Sequence, residues 1–264
     1  MKWMLLISLL ISCASEAIII RHDAADTAYI ELAKTDNSTV SFYGVYKGKE
    51  FVAGTGSLIS NQWIVTAAHV AKDLVIGGKV QFKDDTYHIE KVIRHPLWKD
   101  QQFPNDIALV KLSSAVTNAT IAKLYDSSNE IGKVVTFVGR GDNGDGVTGV
   151  VGADEQLRAA NNVVTAADEQ WLRFVFDRGT DALPLEGISG PGDSGGPAYL
   201  YSDDAVCILG VSSWQNAEAT GWEEGKYGVT ENYSRISHFK SWIEQTMLQE
   251  SQPAPEACPN GDAG

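Results

Sequence analysis

The sequence predicts an all-β protein built as two barrels, followed by one C-terminal helix. Short runs rich in β-branched and aromatic residues, separated by turn residues, recur from Tyr29 to Val211, and a single amphipathic run stands near the end. A chain of 264 residues, 44% of them hydrophobic, can bury one large all-β core or two small ones.

Phe42 to Tyr46, Thr55 to Ile59, Trp63 to Thr66, Lys79 to Phe82, Tyr87 to Arg94 and Ile107 to Leu112 suit the strands of a first barrel. Val134 to Gly139, Gln156 to Val164, Trp171 to Phe176, Pro197 to Tyr201 and Val206 to Trp214 suit a second. Ser237 offers a cap for the helix, and Phe239, Trp242, Ile243 and Met247 recur at i, i+3, i+4 and i+8 to bury one face. The expected organisation is a leader over residues 1–17, a first barrel over 18–130, a second barrel with the helix over 131–250, and a flexible tail over 251–264 that carries three prolines.

Met1-Lys2, the apolar run from Trp3 to Ile11 and the small residues behind it read as a secretory leader too short to span a bilayer as a mature helix. Ser15-Glu16-Ala17 places a cut before Ile18. Leu10-Ile11-Ser12-Cys13 also reads as a lipoprotein box, so anchoring at Cys13 is the alternative to a secreted or periplasmic protein. After the ordinary cut only Cys207 and Cys258 remain, either bonded to each other or with Cys207 a buried thiol. A formal charge of −13 argues against nucleic acid as a partner, because phosphates would be repelled.

Gly192-Asp193-Ser194-Gly195-Gly196-Pro197 surrounds one serine with glycines, which let backbone N–H groups approach a reacting carbonyl. Upstream lie Thr66-Ala67-Ala68-His69 and Asn105-Asp106-Ile107-Ala108-Leu109, so the chain order is His, Asp, Ser. That order differs from subtilisin and from α/β-hydrolases, and the only histidine after Ser194 is His238, at the head of the expected helix.

These three motifs resemble the chymotrypsin and trypsin-like serine proteases. Gly56-Ser57-Leu58-Ile59, Arg94-His95-Pro96 and Gly139-Arg140-Gly141 stand where that family has similar segments, and the resemblance runs from about Ile18 to Leu248. It implies two antiparallel β-barrels, an exported endopeptidase and a protein or peptide substrate. It also implies that Ser194 is nucleophile, His69 general base and Asp106 its orienter, with Gly192 and Ser194 N–H groups as the oxyanion hole. Asp193 would pair with the ammonium of a new N-terminus at Ile18. Ser213-Trp214-Gln215 resembles the segment that lines the substrate cleft. An esterase, or an inactive binding protein on the same scaffold, would share these motifs.

The chain departs from the family in several places. Gly54, Val70 and Gly190 occupy positions where many relatives have cysteines. Ile188 stands where trypsin-like members have the pocket-base aspartate, and Gln215 replaces a usual glycine at the pocket wall, so uncharged substrate side chains are expected. Glu186 or Glu231 is the alternative source of a pocket acid. Asp142-Asn143-Gly144-Asp145-Gly146 offers oxygen ligands but lacks the spacing of a calcium hand, and His22, His88 and His95 lack metal-ligand spacing. The motifs imply neither cofactor nor metal, and they leave the oligomeric state open.

Overall fold

The computed structural model describes residues 18–203 and 205–251. The expected leader, Cys13, Cys258 and the tail beyond Ser251 lie outside the described residues.

Strand β1 (Ile18–Ile20) and helix α1 (Asp26–Ala33) precede six strands: β2 (Thr39–Tyr46), β3 (Lys49–Leu58), β4 (Trp63–Thr66), β5 (Lys79–Phe82), β6 (Asp85–Arg94) and β7 (Ala108–Leu112). These six close into an antiparallel barrel in the order β2-β3-β4-β7-β6-β5, with helix α2 (Ala68–Ala71) on the link after β4. At the β2–β3 hairpin Lys47 and Gly48 both adopt left-handed φ, of 50° and 79°, as a two-residue type I′ turn requires.

The rest of the chain supplies β8 (Lys123–Leu124), β9 (Val134–Gly139), β10 (Asp142–Asp145), β11 (Gly149–Ala153), β12 (Arg158–Val163), β13 (Ala166–Asp168) and β14 (Trp171–Val175). It continues with β15 (Gly187–Ile188), β16 (Pro197–Ser202), β17 (Ala205–Asn216), β18 (Thr230–Arg235) and α3 (Ile236–Ser251). An eight-stranded sheet in the order β12-β9-β16-β17-β18-β14-β13, with β8 beside β17, curls into an open half-barrel. A smaller sheet, β11-β10-β1-β15, holds the N-terminal strand.

The two cores follow from strand alternation. In β14, Leu172 and Phe174 point inward to Phe137 and Tyr233, while Trp171, Arg173 and Val175 lie nearer solvent. Helix α3 begins one residue before the expected cap, and the Ser237 hydroxyl donates to buried Glu130 instead of capping the helix. Its Ile236, Phe239 and Ile243 are buried, each contributing about 1.5–3 kcal/mol of apolar transfer free energy.

Several elements lie outside the expected strand pattern. Helix α1 is held to the half-barrel by Arg158, whose buried guanidinium donates to Asp26 at 3.0 Å and to Asp154 at 3.1 Å. Although they precede the closed barrel in the chain, Ile18, Ile20 and Tyr29 pack in the half-barrel core. Asp142 to Asp145, read as part of a glycine loop, form strand β10 instead. Strand β18 escapes hydrophobic patterning because it buries Glu231, Asn232, Tyr233 and Ser234 in place of alternating apolar residues.

Candidate active site

His69 sits in α2, at the end of the link from β4, and Asp106 lies two residues before β7. Since β4 and β7 are paired neighbours, their ends bring the two residues together. The His69 backbone N–H donates to Asp106 Oδ1 at 2.8 Å, and its ring Nδ1 lies 2.7 Å from Asp106 Oδ2. An ionised carboxylate only accepts, so Nδ1 carries the proton and Nε2 is left as the acceptor. Asn105, at a left-handed φ of 62°, turns the chain so that Asp106 points inward, where it is 2% exposed.

A third donor reaches this acid from the other barrel. Ser213 Oγ donates to Asp106 Oδ2 at 2.6 Å, and Ser234 Oγ donates to the Asp106 carbonyl at 2.7 Å. Ser213 was expected only on the substrate cleft; its side chain holds Asp106 as well. A buried carboxylate with three donors is well satisfied.

The Ser194 loop is pressed against the same corner. Thr55 N–H donates to the Ser194 carbonyl at 2.8 Å, and Gly195 N–H donates to the Ser212 carbonyl at 2.9 Å. A Cβ on Gly195, whose φ is +80°, would lie 2.1 Å from Thr66 Oγ1 and 3.0 Å from Ala67 N, so only glycine lets the serine loop approach the strand that leads to His69. Among the described residues no hydrogen bond joins Ser194 to His69, and none uses the N–H of Gly192 or Ser194.

Asp193 is 1% exposed and turns away from the serine. Its carboxylate accepts from Gly141 N–H at 2.7 Å and Gly190 N–H at 2.9 Å, with the Ile18 backbone N–H as a further donor. Burial nevertheless pushes its pKa up to about 7, and no ion pair among the described residues includes it. Gly139 makes the room, since a Cβ there would lie 1.9 Å from Asp193 Oδ1. Ile18 is buried with φ of 62°, a conformation unfavourable for a β-branched residue within a continuous chain.

Beside Ser194 lies a cavity of about 340 Å³, lined in part by Ser189, Trp214, Gln215, Glu224 and Glu231. Ile188, expected at its base, is excluded: its side chain is fully buried among Ile19, Phe176, Ala217 and Val229. Glu186 is also outside, where its carboxylate accepts from the Asp177 and Leu183 N–H groups at 2.6 and 2.7 Å. Glu231 is inside. Over the cavity mouth Phe103 stacks on Trp214, with ring centroids 4.4 Å apart and planes at 16°.

A family model described as Trypsin matches residues 33–243. The chain belongs to the trypsin family. It is 31% identical to cationic trypsin-3 of Rattus norvegicus over 209 residues, which are 73% of this chain and 78% of that protein. It is 30% identical to anionic trypsin of Canis lupus familiaris over 213 residues, 74% of this chain and 80% of that protein. A calcium-dependent serine proteinase of Mesocricetus auratus is 27% identical over 248 residues; they are 78% of this chain but 34% of that protein, so the chain spans about a third of its length. The solved structure of neuropsin, a serine protease of mouse brain, matches with a TM-score of 0.62 at 17% identity, covering 81% of this chain and 95% of the other, and shows the fold.

The family's missing cysteines have a packing explanation here. A Cβ on Gly54 would lie 2.4 Å from Val70 Cγ1, so the Val70 side chain fills the place between the two positions. A Cβ on Gly190 would lie 1.9 Å from the Asp142 carbonyl oxygen, which closes that position to any side chain. Cys207 is a free, half-buried thiol. No helix among the described residues is long and apolar enough to cross a membrane.

Proposed function

We propose that this chain is an exported serine endopeptidase that hydrolyses peptide bonds through an acyl-enzyme. Ser194 attacks the substrate carbonyl while His69 Nε2 takes the hydroxyl proton and passes it to the leaving amine. Asp106, held by Ser213, keeps the imidazole in the tautomer this requires and stabilises the imidazolium. The free N–H groups of Gly192 and Ser194 stabilise the oxyanion, each worth about 3 kcal/mol in the transition state. Water then attacks the acyl-enzyme by the same route in reverse.

The observation that carries this reading is the His69–Asp106 pair of 2.7 Å facing a glycine-built serine loop with two free donors. Activation follows from Asp193. Removal of residues 1–17 on export would convert the Ile18 N–H into an ammonium beside that buried carboxyl, and would release the left-handed φ of 62° at the same position.

An uncharged alkyl fluorophosphonate tests the enzyme reading. Labelling of the wild-type protein that disappears in Ser194→Ala supports it, together with loss of peptide turnover by several orders of magnitude. A correctly folded, secreted protein that is neither labelled nor hydrolytic belongs to a binding module. Hydrolysis of esters without peptides marks an esterase.

A further inference from the structure

Glu231 lies on β18 directly opposite Gln215 on β17, so cross-strand pairing turns both side chains into the cavity beside Ser194. The carboxyl is 1% exposed yet faces a cavity wide enough for a substrate side chain. Ser189 Oγ donates to Oε1 at 2.6 Å, Ser189 N–H to Oε2 at 3.2 Å, and Gln215 Nε2 to Oε1 at 2.8 Å. All these donors are neutral, and no ion pair among the described residues includes Glu231.

We propose that Glu231 is the specificity-determining group of this pocket, that it takes a cationic side chain on the acyl side of the scissile bond, and that Gln215 is the donor this side chain displaces. The proposal rests on Ser194 being the nucleophile. The acid comes from the β18 wall and not from the position of Ile188, which is sealed in the core. Gln215 acts as a stand-in for the substrate: Nε2 bridges Glu231 Oε1 and the Ser189 carbonyl at 2.7 Å, and Oε1 accepts from Gly225 N–H at 3.3 Å. A charge-assisted bond from an ammonium or guanidinium is roughly twice as strong as the neutral amide bond it replaces. A cation also removes the penalty of a buried, unpaired carboxylate, whereas an apolar side chain leaves that penalty in place.

Protonation adds a second signature. Burial pushes the Glu231 pKa up to about 7, against the donors Ser189 and Gln215 and with Tyr233 beside it. Two further acids face this region: Asp193, whose ionisation the charge on Glu231 opposes, and Glu224 in the cavity wall. Below that pH the pocket is neutral and selects weakly; above it the carboxylate selects cations.

The test uses the processed protein and peptide substrates that differ only at the selected side chain: Lys, Arg, Gln and Leu. The wild type is expected to prefer the cationic substrates by at least tenfold in kcat/KM at pH 8, with the cationic-to-neutral ratio falling as pH drops to 6. Any pH dependence of the catalytic step that all the substrates share cancels in that ratio. Glu231→Gln is expected to cut the ratio at least tenfold and flatten its pH dependence, and Gln215→Ala to raise it. Direct titration with benzamidine gives a readout without turnover, with binding weakened at least tenfold in Glu231→Gln. A wild-type preference for Leu or Gln at pH 8 overturns the proposal, as does a cationic preference that Glu231→Gln leaves intact. If Glu231→Gln does not fold, the wild-type profile, its pH dependence and the response of Gln215→Ala decide by the same criteria. A wild type that no fluorophosphonate labels defeats the enzyme reading instead, and benzamidine titration then judges the pocket separately.

Discussion

The charge on Glu231 raises the pKa of Asp193, so the two buried carboxyl groups oppose each other's ionisation. Among the described residues neither has a cation partner. A cleaved Ile18 would supply one and a basic substrate the other, so each is expected to favour the binding of its counterpart.

This pair makes stability depend on pH in a defined direction. Folded, both groups keep their protons up to about pH 7; unfolded, they release them near the ordinary carboxylate values of 3.8 and 4.5. The folded state binds more protons between those limits, so their contribution is full at acid pH and is lost as pH rises toward 7. Glu231→Gln should gain stability relative to wild type between pH 5 and pH 8, by about 2–3 kcal/mol. Thermal unfolding across that range measures the gain, and parallel curves for the two proteins would count against it.

Ser213 should matter for catalysis without touching substrate chemistry. Ser213→Ala removes one of three donors to the Asp106 carboxylate, a hydrogen bond to a charged group worth about 1.5–3 kcal/mol. Losing it loosens the acid that orients His69, so kcat should fall about tenfold or more with KM little changed, and Ser213→Thr should restore it. A change in KM alone would confine Ser213 to the cleft wall.

Processing and activity should coincide. N-terminal sequencing of secreted, active protein is expected to begin at Ile18, and Asp193→Asn should depress turnover strongly with the triad untouched, because the ion pair it breaks is worth about 3–5 kcal/mol. Active protein that starts at Cys13, or well before Ile18, would rule this out.

The contact between Gly54 and Val70 predicts that a cysteine pair there can bond. Gly54→Cys with Val70→Cys should form a disulfide and stabilise the fold by about 3 kcal/mol through loop closure. Denaturant unfolding with and without reductant reads the difference, and failure to oxidise would show that the two backbones stand too far apart.

The candidate catalytic residues were legible in the chain because each brings its own local signature: glycines around Ser194, small residues before His69, an apolar run after Asp106. Strands such as Trp63–Thr66 and Lys79–Phe82 were equally plain, since their patterns come from neighbours in sequence and from one buried barrel face. Glu231 stood out only as one of two alternative acids. Read along the chain, Thr230–Arg235 is a polar stretch with an ordinary acid; only pairing with β17 and β14 buries it and turns that acid toward Gln215. The same holds for Ile188, whose position relative to Ser194 suggested a pocket base until pairing of β15 with β1 drew it into the core beside Ile19. Local propensity and motif geometry are written within a few residues, whereas the face a side chain presents depends on register between distant strands. The sequence by itself thus determined which groups are the catalytic candidates, and tertiary pairing decided which acid lines the cavity beside Ser194.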